Sequence, residues 1–250
     1  MKTIDCFWEK ENLGVTAREL VVDEGECFDP AAVEAAVADV AYAVVKVPVG
    51  DPAFLFGLPS LGFSCVETQI SVSKPYASFD FDDRLVRLLS RGIRFAPVTD
   101  AEGLEAVVDA ITDDMFRTDR IALDPRFGPQ KGRTRYVNWL RSTFAGPDAV
   151  LFEFVKGEAR YGFSLCRKAP SGEWDYLLGG IYSPYRNSGL GLLTPAAPFL
   201  YARQEGCPLG RVVTSISSNN QPVVKLYLYL GYAVDNLRYV FVRHQNPASR

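Results

Sequence analysis

The chain is poor in the residue that most hydrolytic enzymes depend on. It has one histidine, His244, close to its C-terminal end. A serine or cysteine nucleophile paired with imidazole needs a positioned histidine, and zinc hydrolases take two or three. One late histidine argues against both chemistries, and no role is assigned to it. Five cysteines are present: Cys6, Cys27, Cys65, Cys166 and Cys207. They are widely spaced, odd in number and free of any C-x-x-C pair, as expected of reduced thiols rather than a zinc site or a disulfide framework. No run of about 18 apolar residues occurs, so no membrane-spanning helix is expected. The longest apolar stretch, near residues 37–47, is broken by Asp39 and Lys46. The opening MKTIDCFWEKENLG has no apolar core of the kind a secretion signal carries, and a cytoplasmic location is the expectation. Positive charge is not in excess either. Lysine and arginine total 27 against 30 acidic residues, a net charge of −3. A broad basic face for nucleic acid is therefore not expected.

What is present is an ordinary globular composition, 48% hydrophobic and 23% charged over 250 residues. That length suits one large domain or two small ones. The pattern divides into an N-terminal α/β block, residues 1–90, and a second block, residues 91–250. The first reads β-α-β-α-β: a strand at 20–22, a helix at 31–40, a buried strand at 42–47, a short helix to about 58 and an alternating strand at 63–73. Asp29-Pro30 and Asp51-Pro52 open the two helices. Residues 73–83 read as a linker or edge segment. In the second block a strand at 93–98 leads to a helix from 101 to about 115, capped by Thr99 or Asp100. A loop at 117–132, a helix at 134–144 and three strands at 149–156, 159–167 and 174–182 follow. Then come a helix to about 205, a strand at 211–216, a helix at 222–230 and a last strand at 237–242.

One stretch carries chemistry. Ile181–Leu192 reads IYSPYRNSGLGL, in which a strand runs through Arg186, Gly189 and Gly191 into a helix. Glycines there let successive N–H groups converge, and the helix adds its positive end, which suits a phosphate or pyrophosphate. A plain strand-to-helix turn is the bland alternative. No Lys-Ser or Lys-Thr pair follows Gly191, which argues against a Walker-type nucleotide site.

R-x-x-G-x-G after a strand resembles the pyrophosphate loop of the GCN5-related N-acetyltransferase family. Downstream, Asn220, Val223, Leu226-Tyr227 and Gly231-Tyr232 resemble that family's N-x-x-A-x-x-L-Y-x-x-x-G-F motif at matching spacing. Val223 departs from the usual small residue, and Pro184 alters the entry to the loop. The resemblance covers about residues 92–243. It implies an α/β fold, an α+β mixed sheet of the acyl-CoA N-acyltransferase type, preceded by a smaller α/β block that is itself a degenerate copy. It also implies acetyl-CoA as co-substrate, with Ile181, Tyr182, Arg186, Asn187, Ser188, Gly189, Leu190, Gly191 and Asn220 holding it. Tyr227 takes the position that protonates the departing thiolate. Gly179-Gly180 marks the strand that splays open, and a backbone N–H at Ile181 or Tyr182 polarises the acetyl carbonyl. No carboxylate lies in residues 177–183, so ordered water is expected to relay the amine's proton.

A narrower resemblance, to bacterial sugar-nucleotide N-acetyltransferases of the dTDP-fucosamine type, rests on Trp8 to Gly14 and on Phe116, Arg120, Asp124, Phe127, Tyr136 and Trp139. Leu13 departs from the aromatic residue of that pattern. From this segment Asp124, Arg126 and Tyr136 are candidates to bind the acceptor. The implied partners are acetyl-CoA and a small primary amine, with an amino sugar nucleotide as one option and a homodimer compatible. No nucleic acid, membrane or metal is expected. The alternative is a non-catalytic protein that keeps the fold and binds acyl-CoA as a sensor or interaction module.

Overall fold

A computed structural model describes residues 1–80 and 82–245. A short strand β1 (Lys2–Asp5) and a one-turn helix α1 (Glu9–Asn12) come first, followed by β2 (Ala17–Val21), α2 (Pro30–Val37), β3 (Tyr42–Pro48), α3 (Pro52–Ser60) and β4 (Ser64–Pro75). Asp29 and Asp51 start α2 and α3 as expected. Each carboxylate accepts two backbone N–H bonds, and a proline without an N–H to satisfy follows it. Beyond the edge segment lies a helix that no sequence pattern announced, α4 (Asp83–Leu89). Asp82 caps it by accepting from the Leu85 N–H at 2.8 Å, and Leu85 and Leu88 are buried.

The second half contains β5 (Arg94–Val98), α5 (Ala101–Ala110), α6 (Arg120–Leu123), α7 (Gly128–Phe144), β6 (Ala149–Lys156), β7 (Ala159–Lys168) and β8 (Glu173–Ile181). It ends with α8 (Leu193–Glu205), β9 (Arg211–Ser217), α9 (Gln221–Tyr229) and β10 (Ala233–His244). Of the two candidate caps, Asp100 is the one that starts α5. The helix stops at Ala110 rather than near residue 115. Ile111 turns extended, with ψ 116°, and its carbonyl accepts from Arg133 Nε at 2.6 Å. The stretch expected as a loop holds α6 and the first turns of α7. A Cβ at Gly132 would come 3.1 Å from the Ala122 Cβ, so this glycine lets the two helices touch rather than marking a break.

The ten strands among the described residues form one sheet, in the order β1-β2-β3-β10-β4-β9-β8-β7-β6-β5. The last strand of the chain therefore enters between β3 and β4, antiparallel to both, and β4 pairs in turn with β9. Strand alternation divides the work of β10 between two cores. Phe241 packs in a cluster with Val33 and Val37 of α2 and Phe54 and Leu58 of α3. Val240 and Val242 pack with Tyr42, Leu13 and Ile121. The largest core joins α4, α8 and α9 to Phe152, Cys166, Trp174, Tyr176 and Val212. A further core sets α5 and α7 against Leu151, Phe163, Leu165 and Leu178. The long helix α7 is tied to α1 by Arg135–Glu9 at 2.7 Å and Asn138–Asn12 at 2.8 Å.

Candidate active site

The site begins where two parallel strands part. β8 and β9 pair only over Glu173–Asp175 and Arg211–Val213. Just beyond, Thr214 Oγ1 donates to the Tyr176 carbonyl at 2.7 Å, and from there the strands diverge into a fork. One wall is the Gly-Gly end of β8. At Gly179 a Cβ would lie 2.0 Å from the Tyr176 hydroxyl and 2.8 Å from the Phe163 carbonyl, so no other residue fits without movement. At Gly180 it would meet Met115 Sδ at 3.1 Å. The Tyr182 N–H donates to the Tyr161 carbonyl at 2.8 Å. Alternation in an antiparallel ladder then turns the Ile181 N–H to the other side, toward the fork. Of the two candidate N–H groups, that of Tyr182 is thus engaged within the sheet.

Tyr227 of α9 lies at the apex of this fork, 2% exposed, with its ring 4.7 Å edge-on from Tyr232. Burial pushes its phenol well above the ordinary value. Tyr176 and Tyr232 add to the shift, and Thr214 beside the hydroxyl opposes it. The group therefore keeps its proton at neutral pH, as a donor must.

The loop after β8 is a short turn, Ser183–Tyr185, then Arg186 to Gly189, then a second short turn, Leu190–Leu192, that runs into α8. Gly189 is left-handed at φ 80°, where its missing side chain is needed, and Asn187 is left-handed at φ 62°, which asparagine tolerates better than most residues. Leu190 is buried and pins the loop, while Gly191 packs against Leu226. An open groove of about 630 Å³ borders the loop at Asn187, Ser188, Gly189 and Gly191. Arg186 is not part of that groove. Its guanidinium bonds to Asp114 and, at 3.2 Å, to Thr112 Oγ1, on the loop after α5. Thr112 also bonds Ser183 Oγ at 2.9 Å. Asn220 is the N-cap of α9, accepting from the Val223 N–H at 3.4 Å.

The sequence matches no family model and no curated protein. Solved structures do match. A GCN5-related N-acetyltransferase from Kribbella flavida is 17% identical, with 93% of this chain and 83% of that chain covered and a TM-score of 0.57. A tandem GNAT protein from the clavulanic acid biosynthesis pathway is 16% identical, with 93% and 76% covered and a TM-score of 0.57. A third, from Sphaerobacter thermophilus, is 14% identical, with 81% and 59% covered and a TM-score of 0.55. The chain has the GCN5-related N-acetyltransferase fold. At these identities the likeness establishes the fold alone.

Within this acetyltransferase fold the three acceptor candidates do not converge. Asp124 and Arg126 line a cavity of about 320 Å³ with Tyr42, Arg120, Asn219 and His244. Tyr136 lies apart, donating to Asp119 at 2.9 Å with its ring tilted against Phe116 at 4.1 Å. His244 needs correcting. It is the last residue of β10 rather than a residue beyond it, and its Nε2 lies 2.6 Å from Asp124 Oδ2. Asp124 also accepts the Arg126 N–H at 2.9 Å, so its carboxylate is held in place. Trp8 and Trp139 share a cavity of about 730 Å³, but it reaches Ala149 and Arg167 at the closed end of the strands. Arg167 pairs with Asp175, before the fork opens.

Two buried carboxylates were not singled out in the sequence. Glu153 of β6 is 8% exposed, accepts the Tyr182 hydroxyl at 2.5 Å and is braced by Arg160 at 2.9 Å. Glu67 of β4 accepts from Ser217 Oγ and faces Arg120 at 3.5 Å. The available signal was a single charge inside an apolar run, AVLFEFVK for Glu153. Among the described residues, no group of three His, Cys, Asp or Glu side chains is arranged to hold a metal, and no helix is long and apolar enough to cross a membrane.

Proposed function

We propose that the protein transfers an acetyl group from acetyl-CoA to a small primary amine. The observation that carries this reading is the fork at Tyr176. It presents a free strand N–H on one wall and a protonated tyrosine at the apex, with a glycine loop at the mouth of the following helix. The loop's N–H groups at Asn187, Gly189, Leu190 and Gly191 take the pyrophosphate, that of Ser188 being donated to the Tyr185 carbonyl. The pantetheine arm runs along Asn220 and α9, and the thioester enters the fork. The Ile181 N–H then points at the acyl oxygen, where negative charge gathers as the amine attacks. Tyr227 gives its proton to the departing thiolate. Its phenol is ordinarily a weaker acid than the thiol product, about 10 against about 8.5, and burial weakens it further, so the proton moves as the C–S bond breaks, toward a thiolate whose charge the same burial disfavours. The amine's own proton leaves on the side of α5 to α7. There Tyr182, the residue after the fork strand β8, donates to Glu153 of β6, and water between amine and carboxylate completes the path.

The acceptor enters beside Asp124 and Arg126, at the end of β9 where Asn219 lines the same cavity. An amino sugar on a nucleotide carrier is one candidate. The distance of the Trp8–Trp139 cavity from the fork gives that class no added weight over polyamines or peptide N-termini. A protein that only sensed acyl-CoA would have no use for a proton donor at the fork. The test is calorimetric binding of acetyl-CoA, followed by thiol release across amino sugars, sugar nucleotides, polyamines and peptide N-termini. Binding with amine-dependent thiol release supports the reading. Binding without release from any amine leaves only the sensor, and absence of binding removes both.

A further inference from the structure

The groove beside the glycine loop has a charge that its own loop does not supply. Its lining includes Arg84, Arg87 and Arg91 from α4 and the residues just after it, and Lys225 from α9. The three arginines follow helical spacing, three and then four residues apart, so they share one face. Leu85 and Leu88 are buried and hold α4 on the core, and Leu88 forms part of the groove's floor between the arginines. None of the four cations forms an ion pair among the described residues, and no carboxylate lines the groove. Arg84 lies 5.0 Å over the Tyr229 ring, whose hydroxyl bonds Asp82, the N-cap of α4. In a chain of net charge −3, four unpaired cations on one groove is a concentration that self-repulsion opposes unless an anion resides there. Arg186 is turned away to Asp114.

We infer that α4 and Lys225 bind the 3′-phosphate of the CoA ribose, and that this second phosphate subsite makes the protein selective for 3′-phosphorylated CoA. The inference rests on the acetyl-CoA reading. With the pyrophosphate on Asn187 to Gly191, the ribose leaves the loop into the groove. Its phosphate monoester, with a charge of about −1.5 to −2, arrives among guanidinium groups suited to bidentate bonds. The helix lies just after the 73–83 segment and within residues 1–90, so a part of the chain that precedes the resemblance to the acetyltransferase motifs supplies cofactor selectivity.

The test is calorimetric titration of CoA and of 3′-dephospho-CoA into the full chain, its Arg87→Gln/Arg91→Gln variant and, on the other helix, Lys225→Gln. These side chains are exposed, so the substitutions spare the core. The wild type should prefer CoA by about 10- to 100-fold, the scale of one or two charge-assisted contacts. In the double arginine variant that preference should shrink toward unity through weaker CoA binding, and Lys225→Gln should move it the same way. Equal affinity of the wild type for both ligands overturns the subsite while leaving the acetyl-CoA reading standing. A preference that survives all the substitutions does the same. If neither ligand binds the wild type, the subsite falls together with the acetyl-CoA reading.

Discussion

Replacing Phe241 with alanine should unfold the two blocks together. The residue comes from the end of the chain, yet its ring is 0% exposed and packs against Val33, Val37, Phe54 and Leu58 of the first block. Removing a fully buried phenylalanine costs about 3–5 kcal/mol, from lost transfer energy and the cavity left behind. A domain's whole stability is about 5–15 kcal/mol, so the loss is a large share. For a chain of this size it should lower the melting temperature by about 2–4 °C per kcal/mol, or roughly 6–20 °C. Leu237, on the same strand but 38% exposed, is the control and should cost under about 1 kcal/mol as alanine. Urea and thermal unfolding, followed by circular dichroism and by tryptophan fluorescence, should both show one transition that shifts as a unit. The shared ladder of β3, β10 and β4 requires it. A cost for Phe241→Ala below about 1 kcal/mol would refute the reasoning, as would two separable transitions of which only one moves.

Three further outcomes follow from the site. Gly179→Ala should lower acetyl-CoA turnover and destabilise the protein by about 1–3 kcal/mol, because its new Cβ meets the Tyr176 hydroxyl and the Phe163 carbonyl; an unchanged melting temperature counts against the packing seen there. The Asp114 carboxyl is held down to about 2 by hydrogen bonds from Arg186 and Thr112. A depressed carboxylate stabilises the fold above its unfolded pKa and loses that contribution as pH falls through the folded one, so the Arg186 link should weaken between about pH 4 and pH 2. A carbon-13 titration should give a midpoint near 2 that returns toward the usual value in Arg186→Gln; an ordinary midpoint in the wild type contradicts the pair. Glu153→Gln should lower kcat with little effect on acetyl-CoA binding, and an unaltered kcat would remove Glu153 from the proton path.

The parts legible in the sequence were those decided by neighbours along the chain. Asp29-Pro30 and Asp51-Pro52 start helices because a short carboxylate and a missing N–H solve the same local problem. Asn220 likewise caps α9. The hairpins joining β6, β7 and β8 were readable for the same reason. What escaped notice depends on distant contacts. The entry of β10 between β3 and β4 joins residues nearly the whole chain apart, and no local pattern encodes it. Gly128, Pro129 and Gly132 read as loop punctuation, although Gly132 is a helix contact with Ala122. Helix α4 is short and strongly charged, and its two buried leucines alone do not make a convincing stripe. His244 looked idle because its partner, Asp124, lies on the far side of the sequence. At the loop, the glycine pattern was readable, but the turn of Arg186 toward Asp114 depends on where α5 ends.

The most direct test of acyl transfer at the fork is the steady-state kcat of Tyr227→Phe with acetyl-CoA and the best amine from the screen. Phenylalanine keeps the edge-on packing against Tyr232 and removes only the proton donor. The account predicts a fall in kcat of about 10²–10⁴-fold, the range of general acid catalysis, with the melting temperature and acetyl-CoA binding little changed. A kcat equal to that of the wild type would contradict it.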